Sequence, residues 1–344
     1  MTESPRRGNL AGIAAAAGVS VPTVSKVLNG REGVSAATRE RVQRAIAESG
    51  YQSAGARRAR TTGRTLIDLV IGGAHNGYSM GVLGGILDFA HESNVDVVVS
   101  STDPAQMHRA DSEDWARRMV ESGRRGVIAV TPHLTRHQHA AFAARGLPVV
   151  VVDPLNTPDA DIPCVGSTNW AGGKSATEHL IALGHERIAF LGGPANAECN
   201  QARLHGYLAS LAAHGIASRA EYVVDGNGFS QASGVLGAQL LLSLSEPPTA
   251  VFAANDAIAL GVMEEARRRE LRIPADLSVV GFDGTPLAEQ TLPPLTSVAQ
   301  PLHEIGRTAL RTLVQLIGGE RPGALRTELA TELVVRGSTA APSR

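Results

Sequence analysis

From about Leu66 onward the chain repeats one pattern, a short apolar run of strand length followed by a stretch of helix length. The runs are "TLIDLVI", "VDVVVS", "GVIAV", "PVVVVD", "RIAFLGG", "TAVFAA" and "LSVVGFD", with helical stretches such as "SMGVLGGILDFAHES" and "DAIALGVMEEARRRE" between most of them. Near-continuous apolar strands separated by helices imply parallel sheets covered on both faces, an α/β architecture. Roughly 280 residues are many for one sheet, so two lobes are expected. No apolar run approaches the ~20 residues of a membrane helix, and no membrane partner is expected. The two cysteines, Cys164 and Cys199, make no disulfide framework and lack metal-ligand spacing, which fits a reducing compartment.

The first 64 residues differ in kind. They hold eleven Lys/Arg against four Asp/Glu, a net +7. The remainder holds 32 − 11 = 21 basic and 33 − 4 = 29 acidic residues, a net −8. A basic head on an acidic body is the electrostatic footprint of a nucleic-acid module joined to something else. Leu10, Ile13, Ala14 and Ala17 fall on one face of a short helix, and Gly18 supplies its C-cap. Ser20 can cap a second helix with Pro22 in its first turn, where N–H groups lack partners. Val24, Val27 and Leu28 form its inner side. A third helix opens near Ser35 and runs through Val42 and Ile46. Two short helices across a glycine turn, backed by a third, make a helix-turn-helix. In that motif the second helix enters the major groove of double-stranded DNA. Val21 and Pro22 can press on a thymine methyl, and Lys26, one of only two lysines in the chain, can donate to guanine. Ser20, Thr23, Ser25 and Asn29 are placed for phosphates, which set register. Arg6-Arg7 before "NLAGIAAAAGVSV" has the look of an export signal, but the same residues complete the three-helix pattern. A cytoplasmic, nucleoid-associated protein is expected.

"LAGIAAAAGVSVPTVSKVLNG…VSAATRERVQRAIAESGY" resembles the head of the lactose-repressor (LacI/GalR) family of bacterial transcription regulators. "LIALGHERIAFLGG", "FAANDAIALGVMEEARRRELRIPADLSVVGFDG" and "LPPLTSVAQPLHEIG" carry the resemblance across essentially the whole chain. It implies a helix-turn-helix head over 1–50, a hinge over 51–64 and a two-lobed periplasmic-binding-protein-like core over 65–344. With three crossovers, lobe one takes about 65–164 and 297–325, lobe two about 165–296 and 326–344. It also implies a homodimer on a near-palindromic operator. The wording "VPTVSKVLNG" and "STNWAGG", with two lysines beside thirty arginines, resembles oligosaccharide-responsive actinobacterial members. Xylo- or gluco-oligosaccharides are then the expected effectors, and nucleosides the rival.

In such sheets ligands sit outside the carboxyl ends of the strands. Asp153 follows "VVV", Asn255 follows "VFAA", Asp283 follows "VVGF", and Gln300 lies on a crossover. Arg203 is expected to open the helix after "LGG", where the family carries its ligand arginine. Carboxylates, an amide and a guanidinium suit a polyhydroxylated ligand, since each hydroxyl both donates and accepts. Aromatics are only 3% of the chain, so Tyr78, Trp170 and Phe229, placed after strands, are candidates to stack on a sugar face. Of Asn255 and Asp256, one is expected to cap a helix while the other binds ligand.

Other chemistries find no support. "GGKS" at 172–175 has Thr168 where a phosphate loop needs its first glycine. His133, His137 and His139 lack an acidic or cysteine partner for a metal. No Ser-His-Asp spacing or nucleophile elbow appears. Neither cofactor nor catalytic residue is expected, so the chain reads as no enzyme. The competing reading is a solute-binding protein for sugar transport, which leaves residues 20–64 without a use. In the hinge stretch "GYQSAGARRARTTGR" the position of the family's minor-groove leucine is Arg60. Arg57, Arg58 and Arg60 are expected to hold a narrow minor groove by charge, with less bending than an apolar wedge gives.

Overall fold

The computed structural model describes residues 10–28, 34–49, 63–72, 76–102, 111–156 and 161–343. Asn29, Arg57, Arg58 and Arg60, and nearly all of the expected hinge, lie outside the described residues. The chain divides into two compact units, the first essentially 1–64 and the second most of 65–344.

In the first unit α1 (Leu10–Ala17), α2 (Val21–Leu28) and α3 (Ala36–Ser49) form a three-helix head. Ile13, Ala14 and Ala17 of α1, Val24 and Val27 of α2, and Val42 and Ala45 of α3 make one small core. Gly18 takes a left-handed φ of 64°, open to glycine at no steric cost, and Val19 N donates to Ala14 O at 2.9 Å to close α1. The turn is sharp: α1 and α2 meet at 96°, as a helix-turn-helix requires. Ser20 Oγ accepts from Thr23 N at 3.3 Å to cap α2, and Ser35 does the same for Thr38 N in α3.

The second unit holds two six-stranded sheets. The first has the order β11 (Arg326–Leu329), β5 (Cys164–Ser167), β4 (Val149–Val152), β3 (Val127–Val130), β1 (Thr65–Gly72), β2 (Val95–Thr102). The second repeats it as β12 (Glu332–Val334), β10 (Thr296–Ala299), β9 (Ser278–Asp283), β8 (Ala250–Ala253), β6 (Ile188–Leu191), β7 (Val223–Val224). All pairings are parallel except β10 with β12. The central strands are buried along their length, which is why they read as apolar runs without alternation. Between them run α4 (Gly77–Glu92), α5 (Ser112–Glu121) and α6 (Arg136–Ala143) of lobe one, then α7 (Asn169–Ala182), α8 (Glu198–Ala213), α9 (Gln231–Leu241), α10 (Asp256–Arg268) and the short α11 (Pro286–Gln290) of lobe two. The last helix, α12 (Leu302–Ile317), returns to the core of lobe one.

The expected lobe boundaries need correction. The first crossover follows Ser167, because Cys164–Ser167 is a strand of the first sheet, and the second follows Ala299. The third falls between Leu329 and Glu332, since β11 pairs with β5 and β12 with β10. These crossover strands are partly polar, and they escape an apolar-run criterion.

Three helix pairs touch backbone to backbone through reciprocal glycines. A Cβ on Gly85 of α4 would lie 1.8 Å from His303 O, and one on Gly306 of α12 would lie 2.1 Å from Val82 O. Gly173 and Gly206 play the same part between α7 and α8, as do Gly234 and Gly261 between α9 and α10. No single helix among the described residues is long and apolar enough to cross a membrane.

Candidate functional site: a polar interlobe cleft and an exposed helix face

On the head, the buried Val24 and Val27 turn the opposite face of α2 outward. Val21, 40% exposed, joins the exposed Pro22 and Lys26 and the half-buried Ser25 there. The structure therefore gathers the expected base-contacting side chains on one surface. Ser20 and Thr23 are partly committed already, since their hydroxyls bond each other at 2.8 Å in addition to the cap.

In the core, the carboxyl ends of the strands meet in a cleft. Arg203 lies in the second turn of α8, not at its start, because the helix begins at Glu198. Only 3% exposed, it is held on every side. Nη1 donates to Ala254 O at 2.6 Å and Nε to Asn169 Oδ1 at 2.8 Å. The guanidinium stacks 3.8 Å from the Phe282 ring centroid and lies 3.7 Å from Asp283 Oδ1. Gln300 Nε2 donates to the same Asp283 Oδ1 at 2.7 Å, while Gln300 Oε1 accepts from Ser167 Oγ at 2.6 Å. This chain of contacts runs from the end of β5 in lobe one, through the second crossover, to the end of β9 in lobe two. Tyr78, near the start of α4, donates to Asp153 Oδ2 at 2.6 Å. Asp153 and Asp283 take left-handed φ values of 40° and 103°. Backbone strain of this kind at strand ends is a common mark of a ligand site.

Electrostatics follow from burial. Desolvation pushes the Asp283 carboxyl up to about 7, opposed by Arg203 and aided by the charges of Asp256 and Asp153. Burial also raises Asp153, against the Tyr78 hydrogen bond and Arg203, and raises Tyr78 well above its usual value. One guanidinium faces several carboxylates, so the cleft favours keeping a proton on one of them. A folded-state pKa above the unfolded one means that Asp283 contributes stability present below about pH 4 and lost as pH rises through about 7. Thermal melts should therefore show wild type falling relative to Asp283→Asn between pH 4 and 8. Parallel curves would contradict this assignment.

The remaining expected residues divide. Trp170, in the first turn of α7, is 47% exposed and lines a pocket with Asp153. Phe229 and Asn255 meet each other instead, through Asn255 Nδ2 and Phe229 O at 3.5 Å, and a Cβ on Gly193 would strike the Phe229 ring. Asn255 is the N-cap of α10, accepting from Ile258 N at 2.8 Å. Asp256, the other member of that pair, makes its hydrogen bonds within the protein. It is buried, and it accepts from Thr285 N and Oγ1 and from Ser297 Oγ, tying α10 to the start of α11 and to β10. Sequence reasoning misses Ser167 and Asn169. Their signal is "STNWAGG", which places them where β5 ends and α7 begins. Among the described residues no group of His, Cys, Asp and Glu could hold a metal.

The geometry is matched by kinship. Residues 9–53 fit the family described as bacterial regulatory proteins, lacI family. Residues 177–339 fit a periplasmic binding protein-like domain. The HTH-type transcriptional regulator CelR of Thermobifida fusca is 35% identical over 343 residues, 98% of this chain and 99% of that protein. The HTH-type transcriptional repressor CytR of Escherichia coli (strain K12) is 32% identical over 331 residues, 96% of this chain and 95% of its own length. Among solved structures, the complex of CelR with cellobiose aligns with a TM-score of 0.72 at 33% identity, over 96% of this chain and 100% of that one. The lac repressor dimer bound to operator and the anti-inducer ONPF aligns with a TM-score of 0.70 at 29% identity, over 98% and 100%. With the head, the twin-sheet core and full-length similarity in agreement, this chain belongs to the lacI family of bacterial regulatory proteins and is a DNA-binding transcription regulator.

Proposed function

We propose that this regulator is a repressor whose homodimer places two heads on the half-sites of a near-palindromic operator, and that a saccharide in the interlobe cleft controls the grip. The observation that carries this reading is the buried set Arg203, Asp283, Gln300 and Asp153, which gathers donors and acceptors at strand ends of both lobes. Such a set complements hydroxyls, which donate and accept at once. The complex of CelR with cellobiose supports a gluco-oligosaccharide. A ligand that prefers one lobe arrangement shifts the population between DNA-competent and incompetent states. Leu236 and Leu240, one turn apart on α9 and 59% and 63% exposed, offer apolar surface for a second copy. A transport role would leave the three-helix head idle. Thermal-shift screening against sugars and nucleosides tests the ligand class: stabilisation by nucleosides alone would overturn the saccharide reading.

On the head, Lys26→Ala should weaken specific binding by about 1–3 kcal/mol and relax preference at one base pair per half-site. Equal loss on all sequences would place Lys26 on phosphate only. In the hinge stretch, which lies outside the described residues, Arg60→Leu should flatten the slope of log K against log salt by ~0.9 for each phosphate no longer neutralised. It should also increase the operator bend read by circular-permutation mobility. An unchanged slope and bend would remove Arg60 from the interface.

A further inference from the structure

We infer that Asp256 is a positioning residue of the switch: it pins Gly284 and Thr285, so that a pull on Asp283 is delivered to lobe one where Thr285 meets Gly77 of α4. The inference rests on the reading that an effector engages Asp283. Asp283, Gly284 and Thr285 are consecutive, and the first two take left-handed φ values of 103° and 66°. That conformation costs glycine little but strains an aspartate, so the segment must be held by its surroundings. Asp256 does the holding. Its Oδ2 accepts from Thr285 N at 2.7 Å and from Thr285 Oγ1 at 2.8 Å. Its Oδ1 accepts from Ser297 Oγ at 2.5 Å, and that hydroxyl oxygen accepts in turn from Gly284 N at 3.2 Å. Asp256 and Thr285 are both buried, and hydrogen bonds shielded from water in this way are electrostatically strong.

The far end of the segment touches the other lobe. A Cβ on Gly77 would lie 3.0 Å from Thr285 Cβ and 3.1 Å from Thr285 Cγ2. Gly77 opens α4, and the next residue, Tyr78, donates to Asp153. One three-residue link therefore has a cleft carboxylate of lobe two at one end and the start of a lobe-one helix at the other. Thr285 cannot absorb a displacement, because turning its side chain aside would break the bond from Oγ1 to Asp256. Beside the contact lies a cavity of about 650 Å³, walled by Gly77, Met80 and Leu302 from lobe one and by Gly284, Thr285 and Pro286 from lobe two. Close-packed interiors resist sliding, but here the lobes meet beside open space and can shift without unpacking a core. A contact of this kind biases the resting population of lobe arrangements, and with it the response to any ligand that prefers one of them.

The test uses the full chain and the duplex it enriches from a random pool, with affinity read by anisotropy in the presence and absence of cellobiose. Gly77→Ala adds a methyl to which the pinned Thr285 cannot yield, which disfavours the present lobe arrangement. It should change operator affinity without sugar, or the cellobiose concentration for half response, by at least ~5-fold, the low end of coupling between sites. Asp256→Asn should do likewise, since one amide oxygen cannot accept from both Thr285 and Ser297. Thr285→Ser removes the Cγ2 methyl but keeps the hydroxyl, and should reverse part of the Gly77→Ala change. Gly84→Ala on the same helix meets only His303 Cδ2 at 3.9 Å and should alter neither quantity. A merely structural role would lower the melting midpoints and leave both quantities at wild-type values. Wild-type values in both Gly77→Ala and Asp256→Asn, or an equal change in Gly84→Ala, would overturn the inference while leaving ligand control in place. A wild type indifferent to cellobiose would instead count against the saccharide reading, and the sugar-free affinities would still decide the role of Asp256.

Discussion

Gly85→Ala should cost the core more than ~3 kcal/mol, beyond the usual range for an overpacked site, while Gly84→Ala on the same helix leaves stability unchanged or raises it. The contrast comes from what one methyl meets. At Gly85 it would fall 1.8 Å from His303 O and 2.7 Å from His303 C, both backbone atoms of α12. At Gly84 its nearest neighbour is His303 Cδ2 at 3.9 Å, an ordinary contact. Alanine is otherwise favoured over glycine inside a helix by about 1 kcal/mol. The backbone of α12 cannot move aside alone, because Gly306 presses equally close on Val82 O. With ~2–4 °C per kcal/mol for a unit of this size, the melting midpoint of Gly85→Ala should drop by at least ~6 °C. Equal midpoints for the two variants would show that the helices do not cross at this distance in solution.

The second large effect concerns signalling. Asp283→Asn should leave operator affinity unchanged and weaken the effector by about 10–150-fold, the worth of a hydrogen bond to a charged group at ~1.5–3 kcal/mol. The asparagine oxygen can still accept from Gln300 Nε2, so that 2.7 Å bond need not break. What disappears, at a pH above about 7 where the group is ionised, is a carboxylate able to accept from two hydroxyls. Arg203→Ala should be more severe, because Ala254 O, Asn169 and Asp283 all lose a partner inside the cleft. Such a removal costs stability of about 3–5 kcal/mol, so Arg203→Lys is the companion variant. It keeps the charge but loses the fork and the stacking on Phe282. Titration of each variant with cellobiose against a fluorescent operator separates the two functions. A wild-type response from Asp283→Asn would take that residue out of the effector site.

How far these sites are legible in the sequence depends on which physical signal each carries. The head announces itself through local signals: the spacing of Ile13, Ala14 and Ala17, the turn at Gly18, the cap at Ser20. All are satisfied within a few residues. The buried central strands likewise carry their burial as composition. The crossover strands do not. Cys164–Ser167, Thr296–Ala299 and Arg326–Leu329 are partly polar and acquire strand geometry from their neighbours in the sheet. A reading by apolar runs passes over them and so displaces every lobe boundary by a few residues. In the cleft, Asp153, Asp283 and Gln300 can be named because strand ends in an α/β sheet converge on ligands. Their partners cannot. That Gln300 bridges Ser167 to Asp283, or that Asp256 is spent on Thr285 and Ser297, depends on which strands lie side by side. Asn255 illustrates competing demands on one side chain: the signal that places it at a strand end also places it at a helix start, and the cap takes its oxygen. The glycine pairs show the same limit, since Gly84 and Gly85 are indistinguishable until α12 is laid against them.

Ligand control of operator binding is a coupling between the two units of one chain. The decisive measurement selects duplexes from a random pool with the full-length protein, then follows binding of the enriched duplex by anisotropy as cellobiose is added. A near-palindromic motif is expected, with a change of at least ~10-fold in its dissociation constant, equivalent to about 1.4 kcal/mol of coupling, absent in Asp283→Asn. Enrichment of no motif, or a motif whose affinity no sugar or nucleoside alters, would contradict it.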